Sequence, residues 1–120
     1  MKITIETIPH GDQRYPTAGD WMFDNDHLVI RVSDLGDWRY SMAVGLHEAV
    51  EALLCRNDGV DGRDVDAFDF AYQELHHMEP GDDPAAPYHR QHCFATAVER
   101  ILIAALGVSW AEYEAAAENL

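Results

Sequence analysis

The spacing of apolar residues changes near Trp38, and this change constrains the fold more than any other feature of the sequence. In residues 2–8, KITIETI, Ile3 and Ile5 alternate with polar residues, which is the pattern of a half-buried strand that Pro9 ends. From Trp38 onwards, apolar residues recur at helical spacings instead. We therefore expect strands in the first third of the chain and helices in the rest.

Two further strands are predicted between the first strand and Trp38. The apolar runs WMF and LVIRV are separated by Asp24, Asn25 and Asp26, whose side chains favour turns, so this segment reads as a β-hairpin. Together with residues 2–8 it would give a small antiparallel sheet of about three strands. Such a sheet needs a helix to cover its apolar face.

A bundle of three to four helices is predicted after the sheet. The helices are expected at about residues 38–57, 64–77, 88–106 and 109–120, with Asp37 or Asp34 capping the first and Ser109 the last. The residues expected to face the core are Trp38, Met42, Leu46, Val50, Leu53 and Leu54 in the first helix, Val65, Phe68, Tyr72 and Leu75 in the second, and Phe94, Val98, Ile101, Leu102 and Ala105 in the third. The predicted fold class is α+β.

Length and charge limit the partners of the chain. Its 120 residues fit a single domain, and 22 acidic against 8 basic residues give a net charge of -14, which repels a nucleic-acid backbone. No apolar window is long enough for a membrane span and the N-terminus has no signal-peptide core, so we expect a cytoplasmic protein. Cys55 and Cys93 lie in apolar helical patterns and are expected to be buried free thiols, with a disulfide between them still open.

The run AVGLHEAVEALLC carries three polar residues with the spacing of a metal site. His47 and Glu51 are four residues apart and share one helix face, so both side chains could reach one metal ion. Glu48 lies about 100° round the helix, where it could contact a water molecule on that ion. The simpler reading is an amphipathic helix whose polar face is in water.

The later helices carry polar groups beside their apolar stripes. His92 and Glu99 are two turns apart on one face of the third helix, where they need partners if they are buried. On the second helix, Asp69 lies in line with the core-facing residues, closer to them than Asp66 does. We therefore add His92, Glu99 and Asp69 to the candidate metal ligands; alternatively, the two aspartates simply favour the positive end of their helix dipole.

About a quarter of the chain, HLVIRVSDLGDWRYSMAVGLHEAVEALL, resembles the edge strand and active-site helix of small zincin-like metallopeptidases, and HCFATAVERIL resembles the helix that supplies their further ligand. The resemblance implies that His47 binds zinc and that Glu48 is the general base. Glu51 then replaces the second histidine of the His-Glu-x-x-His motif, and His92 or Glu99 supplies the third ligand. A carboxylate at position 51 retains metal binding but shifts the preference towards harder ions.

A second resemblance implies a different enzyme. Glu48-x-x-Glu51 followed by Asp66-x-x-Asp69 is similar to the acidic motifs of MazG-like nucleotide pyrophosphohydrolases, where facing helices hold magnesium or manganese against a triphosphate. The aspartate at position 66, the absence of a nearby lysine and the leading hairpin depart from that family. The chain also resembles small phage or prophage proteins, which implies no chemistry.

Three functions follow as expectations. The first is a metal-dependent hydrolase of the zincin-like kind, acting on a peptide or small molecule; the second is the magnesium-dependent pyrophosphohydrolase. The third is a non-catalytic acidic protein that binds a basic partner protein, since a surface this acidic can imitate nucleic acid. Association into a homodimer stays open in all three.

Overall fold

The computed structural model describes residues 1–73 and 79–120. In this part of the chain the strands are β1 Lys2–Ile8, β2 Gly19–Asp24 and β3 His27–Ser33, and the helices are α1 Trp38–Asp58, α2 Gly62–Gln73, α3 His89–Ala105 and α4 Trp110–Glu118. Short 3-10 turns lie at His10–Asp12 and Pro80–Asp82. The α+β prediction is confirmed. The predicted end of the second helix, at His77, lies outside the described residues, as does Leu75.

The three strands form a mixed sheet in the order β1, β3, β2. β2 and β3 are the predicted antiparallel hairpin, but β1 pairs with β3 in parallel, with Lys2 beside His27 and Ile8 beside Ser33. The prediction of a purely antiparallel sheet was therefore wrong. Residues 9–18 carry the chain from the end of β1, past β3, to the start of β2, so β1 and β3 run in the same direction. Alternation within a strand defines its two faces but not the direction of its neighbour.

Helix α1 has clear signals at both ends. The Asp37 carboxylate accepts a hydrogen bond from the backbone N–H of Arg39 at 2.9 Å, which is the N-cap that the sequence predicted. At the other end, Gly59 takes a left-handed conformation (φ 73°), and its N–H bonds to the carbonyls of Cys55 and Arg56. These caps place His47 and Glu51 in the middle of a long, well-terminated helix.

The face of α1 that enters the core is not the apolar stripe that the sequence predicted. Trp38 is 70% exposed and Leu53 is exposed as well. The buried positions are Ser41, Ala43, Val44, Gly45, His47, Ala49, Glu51, Ala52 and Cys55. The reason is that α1 lies between the sheet and α3, so both of these sides are covered. Small residues allow close packing on the sheet, and the polar residues find partners on α3.

The prediction for α3 was wrong in the same way, whereas that for α2 is confirmed for the three core-facing residues that the structure describes. Ile101 and Phe94 are exposed, and the buried positions of α3 are Gln91, His92, Ala95, Glu99 and Ile103. On α2 the expected residues do face the core: Val65 and Tyr72 are buried, and Phe68 is partly buried against the core. The faces of α1 and α3 that pack together are therefore the ones that carry the hydrogen-bonded polar residues.

Two smaller expectations are settled by the structure. Both cysteines are free; Cys55 is buried as predicted, but Cys93 is exposed, since it lies on the outer face of α3. Among the described residues, no single helix has the length and apolar character to cross a membrane. Helices α3 and α4 pass such a test only as a pair, and they are bent by 120° at their junction.

Candidate metal centre

The centre of the site is a triangle of three side-chain atoms from two helices. On α1, His47 Nε2 lies 3.2 Å from Glu51 Oε2, as their spacing of one helical turn predicted. From α3, His92 Nδ1 lies 3.2 Å from His47 Nε2 and 3.1 Å from Glu51 Oε2. All three residues are buried. The structure thus brings together three of the residues that the sequence singled out.

The size of this triangle suits a metal ion. Nitrogen and oxygen ligands lie about 2.0–2.1 Å from zinc, so neighbouring ligand atoms in a tetrahedral site are about 3.3 Å apart. The three distances of 3.1 and 3.2 Å are close to that value. His47, Glu51 and His92 could therefore hold one ion together.

Each atom of the triangle belongs to a side chain that is oriented by a second hydrogen bond. His47 Nδ1 faces Glu99 Oε1 at 2.7 Å, and His92 Nε2 faces Asp82 Oδ1 at 3.0 Å. The indole N–H of Trp21 donates to Glu51 Oε1 at 2.9 Å. Carboxylates or other polar groups behind the ligands are a regular feature of metal sites, because they fix the orientation and the protonation of the ligand.

The role of Glu99 differs from the one that the sequence predicted. Its Oε1 contacts the outer nitrogen of His47, and its Oε2 accepts a hydrogen bond from the hydroxyl of Tyr113 on α4. Glu99 therefore lies behind His47 and away from the triangle. Hydrogen bonds between Tyr113 and Glu99 and between Glu99 and His47 therefore connect α4 to the centre of the site.

The hydrogen bonds at the outer nitrogens of His47 and His92 determine whether their inner nitrogens direct a lone pair towards the centre of the triangle. A neutral histidine that donates its outer N–H to a carboxylate carries a lone pair on its inner nitrogen. With this assignment for His47 and His92, two lone pairs and the oxygen of Glu51 meet within 3.2 Å of one another. Three acceptors so close together repel one another, so the centre requires positive charge, in the form of either protons or a metal ion.

Protons can supply this charge, as the direction of the pKa values indicates. Burial disfavours charged His47, but hydrogen bonds with Glu51 and Glu99 outweigh it and raise its pKa well above the ordinary value. Burial also opposes charge on His92, whose pKa is nevertheless raised, chiefly by its bond with Glu51. The pKa of Glu51 falls to about 2 despite burial, because both histidines bond to it. Protons and a metal ion would therefore compete for the same three atoms.

A small cavity adjoins the triangle and contains the predicted base. Its volume is about 40 Å³, which is room for about three water molecules. Glu48 lines it together with Glu51 and His92. Displacement of water by surrounding protein atoms, followed by the negative charge of Glu51, raises the pKa of Glu48 well above its ordinary value. A carboxylate with a raised pKa beside a water-sized cavity is suited to accept a proton.

The segment Glu79–Asp82 forms part of the site, although only a loop was predicted there. Glu79, His47 and His92 form a cluster that could hold a metal ion, with one ligand atom from each residue within 4.8 Å of the others. Asp82 accepts from His92, as described above. Proline and glycine identified this stretch as a connection, but no periodicity related it to His92. The cluster of acids around Pro80 and Gly81 was the available signal.

Gly81 allows this segment to lie directly against the imidazole of His92. A Cβ at this position would be 2.4 Å from both Cγ and Nδ1 of His92, far inside van der Waals contact. The Gly81 carbonyl is also 2.9 Å from Nδ1 of His89, which fixes the backbone on the first turn of α3. The loop thus holds one face of the His92 ring while Asp82 holds its outer nitrogen.

Asp69 lies in the wall of the cavity and is engaged by other groups. Its carboxylate accepts hydrogen bonds from the hydroxyls of Tyr15, at 3.0 Å, and Tyr88. Burial raises its pKa to about 6, against the effect of the two tyrosines. Asp66 pairs with Arg14, which also binds Asp20. The four acids of the second sequence motif do line one cavity, but Glu51, Asp66 and Asp69 are already bonded to other side chains.

Comparison with known proteins provides no relative from which a role could be carried over. No family model matches the chain, and neither the curated proteins nor the solved structures contain a match. The function has to be argued from the geometry of the site.

Proposed function

We propose that this protein binds one divalent metal ion through His47, Glu51 and His92 and is a metal-dependent hydrolase of the zincin-like kind. The observation that carries the proposal is the triangle of two imidazole nitrogens and one carboxylate oxygen, each 3.1 or 3.2 Å from the others, on side chains whose outer atoms are bonded to Glu99, Trp21 and Asp82.

Zinc is the metal that this set of ligands favours. Two imidazole nitrogens and one carboxylate oxygen form a common zinc site, and such a site keeps its fourth position for water or substrate when it is catalytic. All-oxygen sites are typical of magnesium instead. The two histidines therefore favour zinc over magnesium.

The neighbouring cavity supports a hydrolytic role. A bound zinc ion supplies Lewis-acid activation of water, and hydrolysis also requires a group that removes the proton. Glu48 stands on the cavity wall beside Glu51, and the cavity is large enough for water. In this proposal His47, Glu51 and His92 hold the ion, Glu48 takes the proton, and Glu99 and Asp82 keep the histidines oriented.

A second candidate function is the magnesium-dependent nucleotide pyrophosphohydrolase. It is favoured by the position of Glu48, Glu51, Asp66 and Asp69 around one cavity. Arg14 and two tyrosines already bind the two aspartates, which makes these carboxylates less available as magnesium ligands. Release of pyrophosphate from nucleoside triphosphates with magnesium or manganese would favour this candidate over the first.

Metal content tests the leading proposal directly. We would purify the untagged protein without chelator and measure bound metals by mass spectrometry beside the variant His47→Ala. The expected result is about one zinc ion per chain in the natural protein and a loss of it in the variant. Absence of stoichiometric metal in the natural protein, also after incubation with zinc, would contradict the proposal and favour the non-catalytic acidic interaction protein.

A further inference from the structure

Glu79 differs from the three atoms of the triangle in how it is held. The side chains of His47, Glu51 and His92 are between 2% and 6% exposed, whereas that of Glu79 is 61% exposed. Its Oε1 lies 3.9 Å from His92 Nε2, beyond hydrogen-bonding distance. Within the described residues, no donor holds its carboxylate as Trp21 holds that of Glu51.

The backbone that carries Glu79 is nevertheless fixed. The Glu79 carbonyl accepts the N–H of Asp82 at 3.1 Å, and the Pro80 carbonyl accepts the N–H of Asp83 at 3.1 Å. Gly81 packs on the His92 ring, and its carbonyl contacts His89. A carboxylate without an anchor therefore projects from an anchored turn, next to the metal ligands.

Two observations place Glu79 near the centre of the site. Glu79 and Glu48 both line it, and Glu79 forms the possible metal cluster with His47 and His92. Three ligands from α1 and α3 leave a tetrahedral ion one further position. Two neutral imidazoles with the carboxylates of Glu51 and Glu79 would balance the two positive charges of the ion.

We infer that Glu79 is a displaceable fourth ligand, which closes the site when it binds the ion and opens the position beside Glu48 when it leaves. This inference rests on the proposed metal site. In the closed form the ion has four protein ligands; in the open form the fourth position accepts water or another small ligand from the cavity. Exchange requires only rotation of the Glu79 side chain, because the turn beneath it stays in place.

The inference is tested with cobalt, whose absorption spectrum reports coordination, and with azide as a small competing ligand. We would compare the natural protein with Glu79→Gln, Glu79→Ala and, as a matched control, Glu114→Gln on the exposed part of α4. Circular dichroism would establish that each variant is folded. The measured quantities are the cobalt affinity, the visible spectrum and the affinity of the cobalt-loaded protein for azide.

Both Glu79 variants should still bind one cobalt ion, with a changed spectrum and with azide affinity at least about ten-fold higher than in the natural protein, because azide no longer displaces a carboxylate. Glu114→Gln should match the natural protein. Identical spectra and azide affinities in all four proteins would overturn the inference while the metal site stands. A natural spectrum that azide never alters would show a fixed ligand and would also overturn it. Failure of the natural protein to bind cobalt or zinc would overturn the proposed function as well.

Discussion

His47 Nδ1 lies 2.7 Å from Glu99 Oε1, so a residue of α3 holds the outer nitrogen of the histidine that we propose as a ligand on α1. Tyr113 in turn donates to Glu99. These two hydrogen bonds extend the proposed metal centre by Glu99 and Tyr113 and link it to α4. Because Glu99 fixes the orientation and raises the basicity of His47, its removal should weaken the metal site without removing a ligand.

We expect Glu99→Gln and Tyr113→Phe to lower zinc affinity, by about 10- to 100-fold for Glu99→Gln and by less for Tyr113→Phe, which acts one residue further away. Competition with a chromophoric chelator measures both affinities. Glu112→Gln, on the same helix as Tyr113 but exposed, is the control and should leave affinity unchanged. Equal zinc affinity in Glu99→Gln and the natural protein would argue against this role.

The proposed base should be separable from the ligands by substitution. Glu48→Gln keeps the size of the side chain but cannot accept a proton, so metal content should stay near one ion per chain while hydrolysis falls by about 10²- to 10⁴-fold. His47→Ala should lose the metal and the activity together. The measurement pairs metal analysis with a panel of peptide and ester substrates. Full activity in a metal-loaded Glu48→Gln protein would assign the proton transfer to another group.

The pH dependence of stability should differ between the metal-free and the metal-loaded protein. A histidine whose pKa is raised on folding stabilises the fold fully below its unfolded value, about 6.5, and this contribution is lost as pH rises through the folded pKa. Both His47 and His92 have raised pKa values. The free energy of unfolding of the metal-free protein should therefore decrease above pH 6.5, by at most about 1.4 kcal/mol per pH unit for each histidine.

Bound metal should reverse this trend, because the ion replaces the protons and binds more tightly as pH rises. Urea unfolding at pH 6, 7 and 8, with chelator and with zinc, measures both slopes. His92→Asn should flatten the metal-free slope. A metal-free protein that becomes more stable between pH 6.5 and 8 would show that the two histidines do not hold their protons in the way we describe.

The sequence was sufficient to predict the order of elements and the proximity of His47 and Glu51, but not which faces of the helices pack together. His47 and Glu51 came from a local spacing, which a helix fixes whatever surrounds it. The outward position of Trp38 and Ile101 could not be predicted, because α1 is covered by the sheet on one side and by α3 on the other, and no local pattern relates distant pairs such as His47 and Glu99. Apolar periodicity selected stripes that are only partly buried, with Met42 and Leu102 packed at the edge of the core.

Glu79 was missed for a related reason. A turn rich in proline and glycine has no periodicity, so its side chains have no predictable direction, and only the packing of Gly81 on His92 places the turn at the site. Glu99 was identified as a polar residue that needed a partner, and that part was correct. Its position behind His47, rather than beside it, depends on the distance between two helices, which sequence spacing does not contain.

The contact between Gly81 and His92 leads to the last prediction. Gly81→Ala would place a methyl group 2.4 Å from the imidazole, so either the turn or the ring must move. We expect a loss of about 1–3 kcal/mol in the free energy of unfolding and a loss of zinc affinity, because overpacking displaces a ligand. Gly11→Ala is the matched control, since a methyl group there meets no atom within 4 Å. Urea unfolding and zinc competition distinguish the two. If Gly81→Ala bound zinc as tightly as Gly11→Ala, the turn would not be positioning His92. The inferred role of Glu79, which depends on an anchored turn, would then lose its support.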